Sequence, residues 1–431
     1  MKASTILNIS LLQAAANLHL AKAANAEESP ILLLSEDPTF HFEILGGLGQ
    51  AIGGGSDIAP LLAAAKDIKV GDFETFAEVL FKLANETKAQ ALDPILAYDP
   101  INVRNTWFSV ANYFRRADAF TKGNWDNPII KEYWDEQLAA FNKGQAALPI
   151  PGDRLQIPSD NFTVEAIWYS AEKDKKKRPT LIVGNGYDAA QEDMYHIMVV
   201  HARALGWNVL TYEGPGQPTV RRSQDLGFIP DWERVVTPAI DYVLKEKADE
   251  VDTERLALYG NSMGGYLAAR AAAFEPRLKA VLLNGGVYSV HDSYKAQLPA
   301  ELLELYEAGK SEEFDQATLS LLDPNSTAST NIRWGIEHGL WAFKTKSPYD
   351  FFKKTEQYTL EGITDRIKMP VWVADCEFEG FFKGEPQRVV DALGDKATFH
   401  FFDGEAGYHT QSGAFQEMTR VIFGWLHQTL G

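Results

Sequence analysis

The sequence predicts an α/β architecture, an open and mostly parallel sheet with helices on both faces, preceded by an all-helical segment. Three observations carry that prediction. From Arg154 onward short β-rich runs alternate with helical stretches, as a parallel sheet demands because each crossover returns through a helix. Across residues 40–147 apolar side chains instead recur at three- and four-residue spacing, as in Phe76, Val79, Leu80 and Leu83, which marks amphipathic helices. Composition is ordinary for a globular chain, with 45% hydrophobic and 23% charged residues among 431, excluding disordered and collagen-like classes.

Residues 1–28 begin with a Lys, continue through an apolar middle and end in Ala-x-Ala spacing before an acidic pair. That pattern resembles a secretory signal, although Asn8, Ser10, Gln13, Asn17 and His19 interrupt it and fit an amphipathic helix. The chain is therefore cytoplasmic or secreted according to whether residues 1–26 act as a signal. Sequons at Asn85, Asn161 and Asn325 are compatible with secretion and decide nothing. The helical segment spans 39–150 and closes at Pro149-Ile150-Pro151-Gly152. Expected strands are 162–169, 180–183, 209–212, 256–259, 281–283, 371–374 and 399–402. Several are near-continuous apolar runs, as buried parallel strands require. Helices are expected at 192–205, 232–246, 263–274, 386–393 and 415–429. The stretch from Tyr288 to Lys346 is long for a connection, so a lid insertion over about 288–350 is expected within a domain of residues 151–431.

Asp and Glu outnumber Lys and Arg by 59 to 41, a net charge of -18, which argues against a nucleic-acid partner. Beyond the N-terminus no apolar run approaches 18 residues, so no membrane span is expected. A homodimer is compatible with the sequence. The single cysteine, Cys376, rules out an intramolecular disulfide and a multi-cysteine metal site.

Chemistry enters at Gly260-Asn261-Ser262-Met263-Gly264. This G-x-S-x-G motif sits between an expected strand and an Ala-rich helix, the placement a nucleophile elbow needs. Glycines allow a sharp turn that exposes the Ser262 Oγ, and the following helix aims its amide end at developing negative charge. Serine needs a base, itself oriented by an acid. Of the histidines after the expected strand 371–374, His400 lies within a strand and His427 on the closing helix, whereas His409 stands in a Gly-containing loop beyond the last strand. His409 is the expected base. The acid comes from the loop Asp375-Cys376-Glu377-Phe378-Glu379, where Glu379 is expected, Asp375 is the alternative and Glu377 reads as a solvated charge. Met263 and Tyr187 are the expected backbone donors of an oxyanion hole. Asp188 reads as a turn former or a substrate contact.

These residues resemble the α/β-hydrolases with an N-terminal helical cap, a group that includes the bacterial 2,6-dihydroxypseudooxynicotine hydrolase and fungal polyketide-shortening hydrolases. Matching segments are 184–195 (GNGYDAAQEDMY), 212–218 (YEGPGQP), 229–236 (IPDWERVV), 260–265, 341–352, 381–387 (FFKGEPQ) and 407–413 (GYHTQSG). The resemblance implies a triad of Ser262, Glu379 and His409, with one departure: the fungal relatives usually carry Asp where this chain has Glu379, which keeps Asp375 in contention. It also implies cleavage of a carbon-carbon bond next to a ketone, or of an acyl bond, in a small polyketide-like or aromatic molecule, without metal or organic cofactor. An ester or lactone hydrolase, and a non-hydrolytic cyclase or binding descendant, are the alternatives. The helical segment would then close over the strand ends, with Trp107, Phe108, Tyr113, Phe114 and Phe120 offering aromatic contact to substrate. Arg115 and Arg116 would either salt-bridge the core or meet an acidic substrate.

Overall fold

The computed structural model describes residues 29–323 and 326–431. The signal reading of residues 1–26 and the sequon at Asn325 lie outside the described residues. Eight strands form one sheet: β1 Asp153–Pro158, β2 Thr163–Tyr169, β3 Arg178–Gly184, β4 Asn208–Glu213, β5 Val251–Asn261, β6 Ala280–Asn284, β7 Val371–Cys376 and β8 Ala397–Phe402. Their spatial order is β1-β2-β4-β3-β5-β6-β7-β8. β2 runs antiparallel to both β1 and β4, and the remaining neighbours pair in parallel.

Alternation along the strands divides the core in two. Leu181, Val183, Ala257, Tyr259, Trp372 and Ala374 face one cluster, which also contains the C-terminal helix Phe415–Leu430. Ile182, Leu256, Leu258, Val371 and Val373 face the other, shared with the helices Glu233–Glu246 and Gly264–Ala272. This is the period-two geometry of a sheet covered on both sides.

The N-terminal helices Pro38–Gly49, Ile58–Ala65, Phe73–Ala91, Pro100–Ala117 and Ile129–Ala146 join the first cluster. Phe40, Phe76, Phe108 and Phe114 are buried in it together with the sheet residues. Their apolar stripes therefore complete a core that continues into one face of the sheet. Between β6 and β7 the chain inserts helices Val290–Lys295, Ala300–Glu307, Ser311–Ser320, Thr330–Ala342 and Pro348–Thr355, slightly beyond the expected end of the lid. Among the described residues no helix is long and apolar enough to cross a membrane.

Two details differ from the sequence reading. β1 was not expected, because its burial is confined largely to Ile157 and an edge strand with one wet face has little apolar pattern. The expected helix 192–205 is interrupted by a π-helical turn at Tyr195–Val199, where the His196 ring meets the Gly53 carbonyl at 3.0 Å. A side chain at Gly53 would overlap the His196 backbone, and one at Gly55 the His196 ring.

Asp37 fixes the N-terminal helices to the lid. Its Oδ1 accepts from the amides of Thr39 and Phe40 and from the Thr330 hydroxyl at 2.8 Å. Asp37→Ala is expected to cost about 1–2 kcal/mol through the lost N-cap, read as a lower urea midpoint; an unchanged midpoint would mean the cap contributes nothing.

Candidate active site

β5 ends at Asn261, and Ser262 follows with φ of 60°, a left-handed conformation that side-chain-bearing residues adopt rarely. Such a backbone costs on the order of 1–3 kcal/mol and persists only where the surroundings impose it. Here they do. The Ser262 amide donates to Asn284 O at 2.8 Å and the Gly265 amide to Ser262 O at 2.7 Å, locking the turn between β5, β6 and the next helix. A Cβ at Gly260 would overlap the Gly264 carbonyl, and one at Gly265 the Gly285 carbonyl. Glycine is required at both by backbone approaching backbone.

His409 follows β8 in a short turn whose next residues, Thr410 and Gln411, also have positive φ. That turn carries the imidazole back to the elbow: Nε2 lies 2.8 Å from Ser262 Oγ and Nδ1 lies 2.6 Å from Glu379 Oε2. A carboxylate at Nδ1 holds the ring proton there, leaving Nε2 to accept from the serine hydroxyl. Glu379 lies beyond β7. Its Oε1 accepts from the amides of Phe381 and Phe382 at 2.8 and 3.1 Å, and its Oε2 also accepts from the Cys376 thiol at 3.6 Å. Burial pushes the Glu379 carboxyl up, but His409 and the two amides together outweigh it and hold the group below the ordinary range. Phe381 covers the imidazole with ring centroids 4.7 Å apart.

The Met263 amide and the Tyr187 amide donate to no protein acceptor among the described residues. They lie on segments in close contact, since a Cβ at Gly186 would sit 2.8 Å from the Met263 nitrogen. Ser262, His409, Tyr187 and Asp188 open into a cavity of about 380 Å³. Phe42, Glu43 and Phe120 from the N-terminal region line it, as do Tyr294, Leu302, Trp334 and Phe351 from the insertion and Phe381 from the acid loop. The Ser262 hydroxyl, the His409 imidazole with the Glu379 carboxylate behind it, two free amides and an apolar chamber thus meet at the carboxyl ends of β5, β7 and β8.

Residues 236–331, which include the elbow, match the prolyl oligopeptidase family. The chain is 27% identical to hydrolase acrC of Aspergillus aculeatus over 419 residues, 90% of this chain and 96% of that protein. It is likewise 27% identical to 20-hydroxy-prefusarin hydrolase FUS2 of Gibberella moniliformis over 406 residues, again 90% and 96% of the two chains. The solved structure of 2,6-dihydroxy-pseudo-oxynicotine hydrolase superposes with a TM-score of 0.69 at 16% identity, covering 89% of this chain and 95% of that one. The chain has the α/β-hydrolase fold.

Within this hydrolase the structure brings Ser262, His409 and Glu379 together and leaves Asp375 apart. Among the described residues the Asp375 carboxylate accepts only from the Cys376 amide, at 2.8 Å, and burial raises it above its ordinary value, with Glu379 adding to the effect. Asp375, Cys376 and Glu379 present donor atoms within 4.8 Å of one another, but both Glu379 oxygens are already engaged, and burial beside two carboxylates keeps the Cys376 thiol protonated. Glu377 accepts from the Gly404 amide at 2.9 Å on the exposed side of the loop.

Trp107, Phe108, Tyr113 and Phe114 do not reach the cavity. All four are buried among the N-terminal helices, where Tyr113 Oη bonds the Asp57 backbone and Lys143 lies over the Trp107 ring at 3.9 Å. Helical periodicity marks a buried face without saying what covers it, and here neighbouring helices do. Phe120 does line the cavity. Arg115 and Arg116 take the first of their two expected roles, pairing with Asp188, Asp193 and Glu43. Among the described residues the Asp188 side chain receives only Arg115 and forms no turn. Sequence reading missed Phe42, Glu43, Tyr294, Trp334 and Phe381. Their local patterns are those of ordinary core helices and loops, and only FFKGEPQ carried a signal.

Because the Glu379 carboxyl is depressed in the folded state, its ionisation stabilises the fold fully above the unfolded value near about 4.3 and progressively less as pH falls below it. Urea titrations should therefore show the wild-type advantage over Glu379→Gln complete at pH 7 and shrinking toward pH 3. An advantage that stays constant across that range would contradict the depressed carboxyl.

Proposed function

We propose that this α/β-hydrolase is a serine hydrolase that cleaves a carbon-carbon bond next to a ketone in a small polyketide-like or aromatic metabolite. The observation that carries the reading is the continuous relay from Ser262 Oγ through the His409 ring to Glu379. Ser262 Oγ attacks the carbonyl carbon while His409 Nε2 takes its proton, and Glu379 stabilises the imidazolium. The oxyanion is received by the amides of Met263 and Tyr187. Collapse of the tetrahedral intermediate breaks the bond to the neighbouring carbon, whose electron pair leaves as an enolate when a second carbonyl stands beside it. His409 returns the proton to that leaving group, then deprotonates a water that releases the acyl group from Ser262. The aromatic chamber suits a substrate with an extended apolar body.

The fluorophosphonate probe should label the wild type, with labelling lost in Ser262→Ala; a folded but unlabelled wild type would refute the serine mechanism. His409→Ala and Glu379→Gln should each lower kcat about 10⁴-fold, as expected when a base or its orienting acid is lost. Asp375→Asn should stay within about threefold, because Asp375 does not touch the imidazole. If Asp375→Asn proves the more damaging of the two acid variants, Glu379 is not the acid.

The same relay serves an ester or lactone hydrolase, a reading favoured by the match of residues 236–331 to the prolyl oligopeptidase family. Products from a β-diketone and an aryl ester with the same acyl group separate the two. Faster turnover of the diketone supports ketonic cleavage, and turnover of the ester alone replaces it with the ester reading.

A further inference from the structure

The charges around the cavity say what kind of molecule it accepts, granted that the cavity is the substrate chamber of the hydrolase proposed above. Among the described residues no Lys or Arg lines it, and the formal charges on its wall are the carboxylates of Glu43 and Asp188, beside the His409 imidazole. The nearest cations are already committed behind that wall. Arg116 donates to Glu43 at 2.5 Å, and Arg115 donates to the Asp188 carboxylate at 3.2 Å and to its carbonyl at 3.0 Å. Both guanidiniums also share Asp193, at 3.2 and 3.7 Å. Two buried cations therefore face three carboxylates, and neither cation is left over for a ligand.

Other cations nearby are equally unavailable. Lys122 is buried against Asp118 at 2.9 Å, and Arg333 on the lid lies over the Phe73 ring and donates to the Gly71 carbonyl. A carboxylate entering the chamber would lose its water, gain no cation and meet two fixed negative charges. A neutral ketone pays none of these penalties. A hydroxyl or ammonium group gains a partner, because Asp188 Oδ1 receives no donor from the protein among the described residues.

We propose that the chamber selects uncharged or cationic substrates and rejects those that carry a free carboxylate, with Glu43 and Asp188 as the selecting groups. An acidic metabolite would then have to reach this hydrolase as an ester, amide or lactone.

The test is calorimetric titration of Ser262→Ala, which removes turnover, with 6-phenylhexanoate, its methyl ester and 6-phenylhexylamine at pH 8. The ester and the amine should bind about tenfold or more tightly than the carboxylate. Asn331→Lys in the same background adds an ammonium to the cavity wall and should narrow the gap between ester and carboxylate about threefold or more. A carboxylate that binds as well as the ester overturns the inference, and so does failure of all three to bind, which removes the cavity as the binding site. Fluorophosphonate labelling of the wild type is read separately, so a failed serine mechanism is distinguishable from failed charge selection.

Discussion

The site depends on one strained residue held between two strands and a helix. Ser262 keeps its left-handed backbone because its amide is bound by the Asn284 carbonyl of β6 while its own carbonyl receives the Gly265 amide. Relaxing the turn would break these bonds, which lie in a buried setting where unpaired backbone groups are costly. Close packing adds to the constraint. Gly260 lies against Gly264, Gly265 against Gly285, and Gly186 against the Asn261 carbonyl and the Met263 amide. The last contact sets the loop after β3 beside the elbow, so Ser262 and both free amides are placed by one packing arrangement.

A buried charge cluster ties that arrangement to the N-terminal helices. Arg115 and Arg116 leave the helix Pro100–Ala117 and bind Asp188, Asp193 and Glu43, which belong to the loop after β3, the helix that follows it and the first described helix. Charges removed from water are tolerated only when their partners are in place. The cluster therefore acts as a registration device between the helical segment and the loop after β3. Because Asp188 and Glu43 also line the cavity, the groups that register the two parts also set the polarity of the chamber.

The acid loop shows how local chemistry separates two similar side chains. Asp375, at the end of β7, folds back onto the next amide, whereas Glu379 reaches the imidazole and is held by two further amides. The longer side chain matters, since the turn after β7 places its backbone donors where they grip one Glu379 oxygen and leave the other for His409. Cys376 becomes a buried neutral donor to that same carboxylate.

Much of this was legible in the sequence because it depends on short-range rules. Apolar periodicity marks strands and helices, and a glycine-bracketed serine between strand and helix marks an elbow. A histidine in a loop after the last strand can return to that elbow because parallel strands bring their carboxyl ends to one edge. Other properties depended on contacts between residues far apart in the chain. The edge strand β1 lacked a strong pattern because one of its faces is wet. Trp107 and Tyr113 carried the same helical spacing as Phe120, yet only Phe120 meets the cavity, since periodicity identifies a buried face and not the element that buries it. The contact of His409 with Glu379 rather than Asp375, the pairing of Arg115 and Arg116, and the entry of Phe42 and Glu43 into the chamber were decided by distance and burial. The sequence determined the architecture and the type of chemistry through local spacing, and the tertiary structure decided which charges are spent on one another and which still face the chamber.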